Sequence, residues 1–222
     1  MSETIRPRSP GRPQLDPAQT SVRERLIQAA AKLVAERGYN ATSIREIAAN
    51  ADVTPAMVAY YFGDKRGLLE AILDHAFERL VEGVQQLAAE DDATDGPFVT
   101  RFVPLYLRAV TREPWIPQFL LREVFSADTP VREQFVERFA RRVAAVVPAV
   151  FAREIEAGRM RRNLDPQLTL LSLIGMCVFP LIAEPVLGPV LGFQVDAAFA
   201  ERLTDHTVEL FLEGAAPREE TT

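Results

Sequence analysis

The stretch Thr42-Ser43-Ile44-Arg45-Glu46-Ile47-Ala48-Ala49-Asn50-Ala51-Asp52-Val53-Thr54-Pro55-Ala56-Met57-Val58-Ala59-Tyr60-Tyr61-Phe62 decides the fold. Ser43 and Glu46 have the S-x-x-E spacing of a capping box, which satisfies orphan backbone N–H groups at a helix start. Ile44, Ile47, Ala48 and Ala51 follow at helical spacing, so a helix of about two turns begins there. Thr54 is a second cap, and Pro55 takes the first helical position, where a missing N–H costs nothing. The short helix opened there runs to about Tyr61. Neither helix is long enough to stand alone in water. Ala48, Asp52 and Val58 supply, in order, a small residue at the closest approach, a residue that tolerates a left-handed turn, and a β-branched apolar residue facing inward. Two short helices joined by such a turn, packed under a longer one, make a helix-turn-helix.

The longer helix lies upstream. Ser21 and Glu24 repeat the capping-box spacing, Val22, Leu26, Ala30, Leu33 and Val34 share a face, and Gly38 is the stop. Downstream, Asp64 caps a long fourth helix with the stripe Leu68, Leu69, Ile72, Ala76, Leu80, Val84 and Leu87. The acidic run from Glu90 to Gly96 reads as a surface loop. Helical patterns then cover about 97–111, 114–126, 130–157, 166–187 and 196–213, with Asp165-Pro166 a further cap. The fold expected is all-α: an N-terminal three-helix helix-turn-helix domain joined by a long helix to a C-terminal helical domain. Its boundaries are a flexible Arg/Pro-rich tail at 1–19, the helix-turn-helix domain at 20–66, the body at 67–215 and a disordered tail at 216–222.

Charge is unevenly spread. The net charge is −6, yet residues 1–69 hold 10 Lys and Arg against 7 Asp and Glu, and residues 70–222 hold 15 against 24. A positive head on a negative body suits a protein with one nucleic-acid-facing end. Arg6, Arg8 and Arg12 lie among prolines with no apolar core, which excludes a signal peptide and leaves either a basic arm along DNA or a solvated leader. The lone cysteine, Cys177, cannot form an intrachain disulfide, so a reducing, cytoplasmic setting is expected. Pro166 to Ala183 carries no charge but is only 18 residues long and includes Gln167, Thr169, Ser172, Gly175 and Pro180, so it reads as a helix between protein surfaces rather than a membrane span. His75 and His206 stand in no metal-ligand or triad spacing, and no glycine-rich phosphate loop is present. Asp74, His75 and Glu78 fall within one turn and read as a solvated face. No catalysis, metal or cofactor is expected.

The wider string Gly38-Tyr39-Asn40-Ala41-Thr42-Ser43-Ile44-Arg45-Glu46-Ile47-Ala48, then Val53-Thr54, then Tyr60-Tyr61-Phe62-Gly63-Asp64-Lys65-Arg66-Gly67-Leu68-Leu69, resembles the signature of TetR-family regulators over about residues 22–70. Asp52 replaces the family's turn glycine, Ala56 a glycine in the recognition helix, and Ala59 a tyrosine that often contacts phosphate.

The resemblance implies a homodimer on double-stranded operator DNA with the third helix in the major groove. Thr54, Pro55, Ala56, Met57 and Tyr60 then face outward, and Val58 and Phe62 face the core. Ala56 and Met57 meet thymine methyls, and Arg45 either reads a guanine or is a solvated helix charge. Thr42, Tyr60, Tyr61 and Lys65 are placed for phosphates, with half-buried packing the other reading of Tyr61.

The body of such a protein dimerises through about 166–187 and 196–213 and holds a small apolar or aromatic effector. Phe102, Tyr106, Trp115, Phe119, Phe139 and Cys177 are pocket candidates, with plain core packing the alternative for the aromatics and an inert protonated thiol the alternative for Cys177. Arg108, Arg122 and Glu123 are polar anchors if turned inward; solvated charges are the better reading. The function implied is a transcriptional repressor released from a near-palindromic operator when a ligand in the body rotates the fourth helix. An activator, or a regulator answering to a protein partner or to oxidation, is the rival.

Overall fold

A computed structural model describes residues 17–90, 97–126 and 129–216, with side chains from Val22 onward. The basic arm, the C-terminal tail, the Ser21 side chain and the acidic residues after Glu90 lie outside the described residues.

The first helix, α1, spans Pro17–Arg37. It begins a turn earlier than Ser21, because nothing between Pro17 and Gly38 breaks a helix and proline suits a first turn. Gly38, at φ +93°, ends it. The next helix, α2 (Ile44–Asn50), opens on the expected capping box: Ser43 Oγ accepts from Glu46 N at 3.2 Å and Glu46 Oε2 from Ser43 N at 2.9 Å. The turn that follows holds Asp52 at φ +55°, the left-handed position expected of it. Asp52→Val, which puts a β-branched side chain at that dihedral, should therefore destabilise the chain by about 1–2 kcal/mol in urea unfolding; a loss near zero would mean the turn is not held left-handed.

Helix α3 (Pro55–Phe62) packs on α2, and Val58 of the one and Ala48 of the other are both fully buried. Asp64 Oδ1 then accepts from Gly67 N at 2.8 Å and starts α4 (Lys65–Ala89), which packs on α1 and α3 at its head end and on α5 (Phe98–Thr111) and α8 (Arg141–Glu156) further along. A single core runs through both halves, from Leu26 and Val58 to Phe151 and Cys177.

Helix α6 (Ile116–Phe119) passes into a π-helical turn at Leu120–Phe125. Helix α7 (Pro130–Phe135) passes into a second, Val136–Ala140, which leads into α8. Each π turn carries an extra residue and re-aims the side chains on it. Asp74 and Glu78 of α4, expected to be solvated, instead pair with Arg138 at 2.5 Å and Arg142 at 2.9 Å, because the 130–157 run lies along that face of α4. Both pairs are partly exposed and add little stability.

Helix α9 (Pro166–Leu191) is capped by Asp165, whose Oδ1 accepts from Gln167 N at 2.8 Å and Leu168 N at 2.9 Å. It runs four residues beyond the expected end at 187. Pro180, Pro185 and Pro189 each remove a backbone donor without ending it, and the stop is Gly192 at φ +73°. By length and composition α9 is apolar enough to cross a membrane, and only 28% of its most apolar window is buried within the chain. Leu168, Leu171, Phe179, Val186, Val190 and Leu191 are exposed along it, and Leu210 on α10 (Ala197–Ala215).

Candidate nucleic-acid interface

The outer side of α3 presents Pro55, Ala56, Ala59 and Tyr60, with Thr54 just before them. Tyr60 is 69% exposed, and the Thr54 hydroxyl makes no capping bond, so both remain turned outward. On α2, Arg45 is exposed and forms no ion pair among the described residues. Met57, expected outward, is half-buried against the core, because it lies one position from the fully buried Val58.

Three of the expected phosphate ligands are placed differently. Thr42 is buried, and its hydroxyl donates to Gly38 O at 2.8 Å. The Lys65 ammonium donates to Tyr39 O at 2.6 Å and lies 4.3 Å from the centre of the Tyr39 ring. Burial pushes the Lys65 pKa down, while the charges of Glu123 and Glu46 pull it back. Both residues thus hold the turn between α1 and α2. Tyr61 is half-buried, edge-on to Tyr60 with ring centres 4.9 Å apart, and its hydroxyl is buried without a partner, which leaves it to packing. The sequence reading passed over α1 as a source of charge for this end. There Arg23 lies over the Phe62 ring at 5.5 Å, and Arg25 Nε donates to Ala51 O at 3.2 Å.

In the body, the six pocket candidates fall into three groups. Phe102 and Tyr106 stack at 5.6 Å near Cys177; burial raises the Tyr106 pKa, with the Cys177 charge adding to it, and burial pushes the Cys177 thiol up to about 12. That keeps Cys177 a neutral thiol. Phe139 packs against Phe77 at 5.7 Å. Phe119 meets Trp115 edge-on at 5.6 Å, and Trp115 borders a cleft between α1 and α6, its indole N–H buried and unpartnered. A cavity of about 570 Å³ between α6 and α9 is lined instead by residues such as Thr111, Gln118, Leu121, Leu181 and Pro185.

Besides helix packing, among the described residues side-chain hydrogen bonds tie the body to the head at three places. Gln28 Nε2 of α1 donates to Glu113 Oε1 at 3.2 Å and lies 3.2 Å from His75 Nε2. Arg122 donates to Glu36 O. Glu123, only 2% exposed, accepts the Tyr39 N–H on Oε1 at 3.2 Å, and burial raises its carboxyl pKa. Glu123 is therefore a buried seam residue rather than a solvated charge, because the π turn aims it at the head, while Arg122 stays exposed at the rim of the seam. Arg108 is exposed, as expected.

The model of the bacterial regulatory proteins of the tetR family matches residues 26–72. The HTH-type transcriptional repressor Rv3405c of Mycobacterium tuberculosis is 44% identical over 66 residues, 30% of this chain and 35% of that one. The chain thus spans about a third of the length of the curated relatives it matches. Similarity of fold extends much further. The TetR family transcriptional regulator PfmR from Thermus thermophilus superposes with a TM-score of 0.68 at 22% identity, covering 89% of this chain and 98% of its own. AibR, in complex with isovaleryl coenzyme A and operator DNA, superposes with a TM-score of 0.64 at 21% identity over 85% of this chain and 97% of its own. Residues 26–72 thus match the helix-turn-helix head of the tetR family of bacterial regulatory proteins, and the all-helical body that carries this head has the fold these structures share.

Proposed function

We propose that the chain is a homodimeric, sequence-specific DNA-binding regulator of transcription, with residues 20–66 as reading head and 67–215 as body. It works in the cytoplasm as a repressor that a small molecule releases from a near-palindromic operator. The observation that carries this reading is the outward face of α3, left uncovered by the body, with Arg45 exposed beside it. That face offers no Asn, Gln or Arg, so Pro55, Ala56 and Ala59 favour thymine methyls, while Arg45 supplies the guanine-directed donor. Thr54 and Tyr60 supply hydroxyls for phosphate. The exposed apolar residues of α9 and α10 are the dimer face, which also accounts, without a membrane, for a long helix whose one charge is Glu184. The effector is apolar or aromatic where it enters the body, as the isovaleryl group is in the isovaleryl coenzyme A that AibR holds on this fold. Release requires that the effector bind the non-DNA state more tightly, since equal affinity for both states shifts nothing.

The test is selection of duplexes from a random pool with the purified protein, followed by affinity measurement at fixed salt. Arg45→Ala should lose about 1–3 kcal/mol and relax one base position. Tyr60→Ala should weaken all selected duplexes alike. Unchanged affinity in the double variant would remove the α2–α3 docking surface.

A further inference from the structure

Glu123 lies in the body yet is bonded to the head. Its carboxylate Oε1 accepts the N–H of Tyr39, 84 positions away in the chain, while Oε2 is buried with no partner. The Tyr39 backbone is held on its other side as well, for its carbonyl accepts from Lys65 Nζ at 2.6 Å and from Thr42 N at 3.3 Å. The body thus grips the N–H, and the head and α4 grip the carbonyl, of one residue, Tyr39, and so hold the two successive peptide groups that flank it just upstream of the helix-turn-helix. Gly38 makes the approach possible in two ways. Its φ of +93° forms the turn, and a Cβ there would lie 3.1 Å from Glu123 Oε1.

Packing alone does not account for this arrangement. A buried carboxylate oxygen without a donor costs stability, and an apolar side chain of similar size would avoid that cost. Glu123 also depends on the Leu120–Phe125 π turn, which is held by Thr129 Oγ1 donating to Glu123 O at 3.1 Å and Arg132 Nε donating to Val124 O at 2.9 Å. Relaxing that turn to an ordinary α-helix would rotate the residue by roughly 100° and withdraw the carboxylate.

We propose that Glu123 is a positioning residue for the reading head, fixing its angle to the body through the Tyr39 N–H by a route separate from α4. Its purpose rests on the DNA-binding reading above; its existence does not.

Residue-resolved hydrogen exchange on the full-length chain tests it. In the wild type and in Glu123→Gln, which keeps the acceptor oxygen, the Tyr39 amide should be protected. In Glu123→Ala it should exchange at least about tenfold faster, while the Ile47 and Val58 amides inside the head keep wild-type protection. Unchanged Tyr39 exchange in Glu123→Ala, or equal loss in Glu123→Gln, overturns the proposal. So does faster exchange at Ile47 and Val58 in Glu123→Ala, which would make Glu123 a stabiliser of the head rather than a setter of its angle. On a duplex selected by the wild type, Glu123→Ala should bind about five- to tenfold more weakly, yet match the wild type on the same duplex with one half scrambled, because a loosened head lowers only the gain from engaging two half-sites. Equal affinities on the full duplex overturn the positioning role. If the wild type selects no duplex, the DNA reading falls, and the exchange result alone decides the link between body and head.

Discussion

Gly67→Ala should unfold or displace the reading head. A Cβ at Gly67 would lie 2.0 Å from the carbonyl oxygen of Phe62 and 3.1 Å from its carbon. Both are backbone atoms, so no side chain can swing aside. The last turn of α3 would have to move away from the first turn of α4, and the 2.8 Å bond from Gly67 N to Asp64 Oδ1 would be strained with it. The expected cost is about 3 kcal/mol, at the upper end of overpacking penalties, and a large share of a typical domain's stability. Urea unfolding followed by circular dichroism, with exchange at Val58 as the probe of the head, measures it. A variant within about 0.5 kcal/mol of the wild type would show that α3 and α4 do not meet in this geometry.

If α9 forms the proposed dimer face, Phe179→Glu should convert dimers to monomers. Phe179 is 59% exposed in the single chain, midway along α9, between Leu171 and Val186 on the same apolar side. If two copies pair there, a glutamate is buried opposite its own symmetry mate with no counter-charge. Uncompensated buried charges cost about 3–5 kcal/mol, so the dissociation constant should rise by roughly a thousandfold or more. Sedimentation velocity reads the change, and duplex affinity should fall with it. A dimer of undiminished strength would move the interface off α9.

The head was legible in the sequence because its signals are local. The Ser43–Glu46 box, the Asp64 cap and the left-handed Asp52 each depend on neighbours within a few residues, as does the Asp165 cap in the body. What escaped reading depends on residues far off in the chain. Nothing around Lys65 announces that its ammonium serves the Tyr39 carbonyl 26 positions away, and nothing around Glu123 announces a partner 84 positions away; Thr42, whose hydroxyl serves Gly38 O four positions back, is the local exception. The π turns were equally hidden, since one extra residue in a short turn scarcely changes the helical period. The pocket candidates failed to converge for another reason: aromatics such as Phe102 and Phe139 recur at the same spacing whether they line a cavity or fill a core.

Trp115 gives the molecule a built-in optical gauge. It is the chain's one tryptophan, and it is lodged where α1 meets α6, its indole nitrogen shielded from water. Light absorbed at the red edge, beyond the reach of the four tyrosines, is therefore emitted from that seam alone. Any loosening that admits solvent to the indole shifts its emission to longer wavelength, so head–body coupling can be followed in real time without attaching a dye.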